Sequence, residues 1–179
     1  LRRKREDRPD LERNMARVFQ ARQRRLRREQ PVARPVEEVF EFFSDPRNLE
    51  ALTPPFLHFR ILTPLGPRIE PGLIIEYRLR LHGVPLQWKS LIEAVDPGKS
   101  FTDVQIRGPY RRWRHVHDFR ADGEGTCVVD TVEYELPFPP VGDILGSGLV
   151  ERRLARIFDY RRDRIAELLP ARSGGASPA

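Results

Sequence analysis

The chain has 179 residues, 39% hydrophobic and 32% charged, enough for one domain with a buried core and polar extensions. No apolar run approaches the roughly 18 residues that a membrane-spanning helix needs. The single cysteine, Cys127, excludes an internal disulfide and an all-cysteine zinc site. The net charge of +6 is unevenly placed: residues 1–30 hold 12 Arg/Lys against 5 Asp/Glu, and the rest hold 20 against 21.

Residues 1–21 therefore read as a basic N-terminal extension, flexible or in a short helix. Leu11, Met15, Val18 and Phe19 fall at helical spacing, and Asp10 can cap them. Such a leader can hold nucleic acid or anionic lipid non-specifically, but a solvated tail is the plainer reading, and no specific nucleic-acid partner is expected. The opening LRRKREDRPD has no apolar segment behind it, so no secretory signal is expected, and with it a cytoplasmic location. The chain begins with Leu and its only methionine is Met15. Its native start is expected upstream or at Met15.

Arg25 to Val32 reads as a first strand. Pro35 then opens a helix, with Glu37 and Glu38 favouring its first turn and Val36, Val39, Phe40 and Phe43 on its apolar face. Ser44-Asp45-Pro46 ends it. Arg47 to Leu52 is a second short helical piece, stopped by Thr53-Pro54-Pro55. Leu57 to Thr63 is expected as a strand, and the proline-rich Pro64 to Gly72 as a loop.

Leu73 to Leu81 alternates cleanly, with Tyr77 among the inward residues and Glu76, Arg78 and Arg80 outward. His82-Gly83 turns the chain into Val84 to Val95. Asp96-Pro97-Gly98-Lys99 is the next turn. Phe101 to Arg107 and Tyr110 to Arg120 form a hairpin about Gly108-Pro109. Thr126 to Leu136 is the last strand, and Pro137 to Gly148 a loop. Leu149 to Leu169 is the longest helix, its apolar residues three and four apart, its arginines (Arg152, Arg153, Arg156, Arg161, Arg162, Arg164) mostly on a solvated face. Residues 171–179 read as a disordered tail.

Successive hairpins give an antiparallel sheet. A sheet with one apolar face and one long amphipathic helix to cover it tends to leave a cavity between them. The hairpin supplies the polar part of that cavity. Trp113, His115, His117 and Phe119 share one face of their strand. With a three-residue turn at Gly108 to Tyr110, Asp103 lies opposite His115 and Gln105 opposite Trp113; with a loop of similar economy at Ala121 to Gly125, His117 lies near Asp130.

A histidine flanked by a carboxylate has a fixed tautomer and can serve as general acid or base, or can orient a ligand's oxygen. The candidate catalytic residues are His115, His117, Asp103 and Asp130. The candidate ligand contacts are Tyr77, Trp88, Gln105, Trp113, Phe119, Tyr134 and Phe158. The alternative is a polar network that only satisfies its own hydrogen bonds. Two histidines at i, i+2 with Asp103 or Asp130 could ligate one ion. Nothing else in the sequence supports a metal, so no metal or cofactor is expected. Cys127 falls on the opposite face.

Three runs carry a family resemblance: PVEEVFEFFSDPRNLEALTPP from Pro35, FTDVQIRGPYRRWRHVHDF from Phe101 and DTVEYELPF from Asp130. Together they resemble the START-like, helix-grip superfamily, the polyketide cyclase/dehydrase and lipid-transport group, and within it the stand-alone bacterial ligand-binding proteins. The resemblance implies an α+β helix-grip fold over residues 22–170. It implies a curved antiparallel sheet of about seven strands wrapped on a long C-terminal helix, with two short helices after the first strand. It also implies a small hydrophobic ligand such as a polyketide, isoprenoid, quinone or lipid, or else a cyclase/dehydratase working through a His/Asp pair. The superfamily has no common catalytic set to carry over. Pro139-Pro140 stands where this subgroup usually has Gly, which sets the local loop apart. The sequence carries no signal for an oligomeric state.

Overall fold

The computed structural model describes residues 22–81, 83–137 and 147–171. The basic extension over residues 1–21, the turn at His82, most of the Pro137 to Gly148 loop and nearly all of the 171–179 tail lie outside the described residues. In chain order the elements are β1 (Arg24–Val32), α1 (Val36–Ser44), two single-turn 3-10 helices (Pro46–Leu49 and Pro55–Leu57), β2 (Arg60–Ile61), β3 (Ile74–Leu81), β4 (Val84–Asp96), β5 (Ser100–Arg107), β6 (Arg112–Asp122), β7 (Gly125–Glu135) and α2 (Ser147–Leu168).

The seven strands form one antiparallel sheet in the order β1-β7-β6-β5-β4-β3-β2. The expected helix-grip architecture is therefore the one observed. β3 to β7 follow as hairpins, and β1 closes the far side by pairing with β7 from Arg24–Tyr134 to Val32–Thr126. Register shifts in β4, between Lys89 and Ser90 and between Ile92 and Ala94, add local bend and twist where the sheet must curl. The Asp96–Lys99 turn closes with Lys99 N–H donating to Asp96 C=O at 3.0 Å, and Gly98 supplies its left-handed residue (φ 77°).

Three expectations shift. The strand expected over Leu57 to Thr63 is only Arg60–Ile61, because Pro54-Pro55 turns the chain into a 3-10 helix and His58 follows in the left-handed region (φ 44°). The helical piece after α1 is a single turn, Pro46–Leu49, capped by the Asp45 carboxylate accepting from Arg47 N–H at 3.0 Å. β6 begins at Arg112 and not at Tyr110, for a reason that lies in Gln105, given below.

The helix α2 runs alongside β1 in the same direction. Arg24 meets Glu151 at 2.9 Å, Gln30 Nε2 donates to the Arg162 carbonyl at 2.9 Å, and Arg34 Nε donates to the Pro170 carbonyl at 2.7 Å. Two apolar clusters hold it. Ile165 joins Val39, Phe43, Phe101 and Phe119 at one end. Leu154 and Phe158 pack with Val132, Tyr134 and Leu136 at the other. Arg153 and Arg156 lie over the Phe56 ring at 5.5 and 5.0 Å, which ties the Pro55–Leu57 turn to the helix. Among the described residues no helix is long and apolar enough to cross a membrane.

Candidate functional site

Between the sheet and α2 lies a cavity of about 200 Å³. Its wall is mostly apolar, with Leu57, Phe59, Leu79, Ile92 and Leu154 among its residues. Aromatic rings brace one side: Tyr77 stacks on Trp88 (5.9 Å, 17°), and Trp113 meets Trp88 edge-on at 5.3 Å. The Trp88 indole N–H donates to Ser90 Oγ at 3.0 Å, and the Tyr77 hydroxyl lies 3.3 Å from the same oxygen. Burial pushes the Tyr77 hydroxyl well above its ordinary pKa, so it stays a neutral donor or acceptor.

The polar end is built by β5, β6 and β7. Asp103 stands directly opposite His115, and His117 opposite Asp130. The two imidazoles lie 3.8 Å apart between the two carboxylates. His115 Nε2 is 2.9 Å and His117 Nδ1 2.8 Å from Asp130 Oδ1. On the other side, His117 Nε2 is 3.2 Å and His115 Nδ1 3.6 Å from Asp103 Oδ2. The His117 Nδ1 contact is short but poorly aligned, so it falls short of a full hydrogen bond. Phe101 stacks on the His117 ring at 4.1 Å.

The cluster is buried, and its members divide the charge. For both carboxylates burial alone would raise the pKa. Hydrogen bonds from the histidines and the nearby positive charges outweigh it, holding Asp103 below and Asp130 well below the usual range. Burial, reinforced by the charge on His117, pulls His115 down. Burial acts on His117 too, but its contacts with Asp103 and Asp130 win, and it is raised.

A further cation completes the cluster. Arg161 is exposed over only 13% of its side chain, and its Nη1 is 3.7 Å from Asp130 Oδ1. Its guanidinium lies over Phe43 and Phe158 at 5.8 and 5.9 Å and faces the cavity. It was counted above with the solvated arginines of the helix, which the structure corrects. The signal was present: Leu154, Phe158, Arg161 and Ile165 are spaced four, three and four apart, one face of a helix.

Of the residues expected at the site, Tyr77, Trp88, Asp103, Trp113, His115, His117 and Phe158 line the cavity. Asp130 sits behind the histidines. Three more do not line it. The Gln105 amide bends into the turn instead, its Nε2 donating to the Tyr110 carbonyl at 2.7 Å and its Oε1 accepting from Tyr110 N–H at 3.3 Å. That spends Tyr110's backbone groups and delays β6. Phe119 packs in the core against Phe40 and Phe43. Tyr134 is buried behind Trp113 and Tyr110.

Residues 23–170 match the family described as polyketide cyclase / dehydrase and lipid transport. The chain belongs to that family. Membership in the polyketide cyclase / dehydrase and lipid transport family makes this a hydrophobic-ligand-binding fold, in keeping with the cavity. No curated protein matches the sequence. Among solved structures, the protein Ms6760 of Mycobacterium smegmatis is similar at 20% identity and a TM-score of 0.60, over 82% of this chain and 91% of that one. The protein TTHA0849 of Thermus thermophilus is similar at 22% identity and a TM-score of 0.58, over 81% and 99%. The major latex-like protein 151 of Panax ginseng gives 16% identity and a TM-score of 0.62, over 82% and 97%. At these identities the likeness is one of fold.

Proposed function

We propose that this protein binds a small hydrophobic molecule, of polyketide, isoprenoid, quinone or lipid type, with an oxygen-bearing end turned toward Arg161 and the histidines. The observation that carries this is the polarity of the cavity, apolar and aromatic along most of its wall and polar at one end. Among the described residues Arg161 makes no hydrogen bond, its nearest anion being Asp130 at 3.7 Å. Its planar donor set is thus left for a carbonyl, phenolate or carboxylate oxygen. A cavity of about 200 Å³ is below the ~300–1,000 Å³ of sites that enclose a drug-sized ligand. It suits a compact ring system or part of an acyl chain.

Acid/base turnover, of cyclase or dehydratase type, is the second reading. It is favoured by His115, its pKa lowered by burial, standing beside His117, its pKa raised by the two carboxylates against burial, both on the cavity wall.

Native mass spectrometry of the purified protein tests both. A co-purified molecule lost or at least about tenfold weaker in Arg161→Ala supports oriented binding, since a charge-assisted hydrogen bond contributes about 1.5–3 kcal/mol. Failure to retain or take up any hydrophobic molecule, including an anionic naphthalene-sulfonate dye, would overturn it. The released molecule is then returned to fresh protein. Unchanged mass and unchanged chromatographic retention mark a binder, loss of one water marks a dehydratase, and an isomer of the same mass with a new retention marks a cyclase.

A further inference from the structure

We infer that Asp103, His115 and His117 form a site for one divalent transition-metal ion of the zinc type, with Asp130 as the carboxylate that orients both imidazoles. The four ring nitrogens divide into two pairs. One nitrogen of each histidine faces Asp130 Oδ1, His115 Nε2 at 2.9 Å and His117 Nδ1 at 2.8 Å. The other nitrogen of each faces Asp103 Oδ2, His115 Nδ1 at 3.6 Å and His117 Nε2 at 3.2 Å. In the free protein His117 Nε2 donates to Asp103; an ion would replace that proton, and with the other ring nitrogens turned to Asp130 both lone pairs then face Asp103.

One of those distances fits a shared ion as it stands, and the 3.2 Å from His117 Nε2 to Asp103 Oδ2 is a hydrogen bond that the ion would replace. A tetrahedral ion bound at ~2.0–2.2 Å holds its ligand atoms roughly 3.3–3.6 Å apart. The 3.6 Å separation of His115 Nδ1 from Asp103 Oδ2 is too long for a hydrogen bond, yet it falls within that range. The three ligand atoms all lie within 4.8 Å of one another. Asp130 then takes the part that carboxylates play behind metal-bound histidines, fixing tautomer and ring orientation.

The cavity sorts the same residues. Asp103, His115 and His117 all line it, and Asp130 does not. Three protein ligands on a cavity wall leave a coordination position open toward the ligand space, the arrangement of a reactive and not of a closed structural ion. The donor set is two imidazoles and one carboxylate, which suits zinc, iron or cobalt better than magnesium or calcium. Cys127 pairs with Arg120 on the outward face and cannot add a thiolate. With neutral imidazoles, Asp103, Asp130 and Arg161 sum to one negative charge. A dication turns this to one positive charge, which an anionic ligand oxygen would balance.

The test uses the full chain, stripped with a strong chelator and titrated with Zn²⁺ by calorimetry. Neither this nor the next measurement needs an organic ligand. One ion per chain at micromolar affinity or tighter is expected. Asp130→Asn should weaken binding about 10–100-fold, as loss of an orienting carboxylate does, and His115→Gln with His117→Gln should weaken it further still. Replacing the other two histidines, His58→Gln with His82→Gln, should leave it unchanged. The absence of stoichiometric binding, or binding that survives loss of His115 and His117, overturns the site. Should the variants fail to fold, Co²⁺ added to the wild-type protein decides. An intense four- or five-coordinate visible spectrum supports the site, and the weak spectrum of the hydrated ion alone sinks it.

Discussion

His115 and His117 stand two residues apart on β6, yet their surroundings shift their pKa values in opposite directions. Asp103 from β5 and Asp130 from β7 face both of them, and the charge of Arg161 from α2 acts on His117, so the difference lies in the split of contacts. Burial and the neighbouring charge depress His115. Two carboxylate contacts raise His117 against its burial. The consequences for stability follow by linkage. Because His117 is raised, its contribution is fully present below its ordinary value of 6.5 and is lost as pH rises through the higher folded value. For His115, which is depressed, the unfolded chain takes up a proton that the fold resists, so stability falls as pH drops below 6.5. In metal-free protein the two terms together peak near pH 6.5. Thermal melts across the range in chelator should show that maximum, and His117→Gln should remove the loss on its alkaline side. If the alkaline arm is the same in the variant, His117 is not the proton's holder.

At the scale of elements, the β5–β6 hairpin sets the register that brings Asp103 and the histidines together. Its turn depends on one glycine. A Cβ on Gly108 would stand 2.3 Å from Gln105 Oε1, the amide that bonds Tyr110 on both its backbone groups. Gln105→Ala should destabilise by about 1–3 kcal/mol through the unpaired Tyr110 groups. Gly108→Ala should cost a similar amount by displacing the same amide. The double variant should cost little more than either one, which urea denaturation of all four proteins would reveal. Simple additivity would show that the two residues act apart. The hairpin also marks how far sequence could reach. Gly108-Pro109 announced the turn; a three-residue turn there put Asp103 opposite His115, and an economical loop at Ala121 to Gly125 put His117 near Asp130. Side-chain parity turned Gln105 inward, but it says nothing of an amide that bends back to satisfy a turn. The Pro54-Pro55 run was visible as a helix stop, whereas its shortening of β2 depends on tertiary packing.

Across the whole molecule, the question is whether the space under α2 is a site or a flaw in the core. Periodicity foretold that α2 covers the sheet. It could not foretell how completely, because closure depends on side chains from elements far apart in sequence. Arg161 shows the same limit: a charge on a helix reads as solvated until the cavity that receives it is known. Leu79 separates the two cases. It is 6% exposed and lines the cavity from β3. In a filled core, Leu79→Trp would force neighbours off their rotamers at about 1–3 kcal/mol. In a true cavity, the extra ring occupies space already there and adds apolar contacts, so stability holds or rises. The same ring would shrink the space left for a ligand without touching Arg161 or the histidines. The expected result is a melting temperature at or above that of the wild type, with uptake of the naphthalene-sulfonate dye reduced at least about tenfold, a loss of about 1.4 kcal/mol. A folded variant that binds the dye unchanged would place the dye elsewhere. A variant that melts well below the wild type would mean that the space beneath α2 is packed shut.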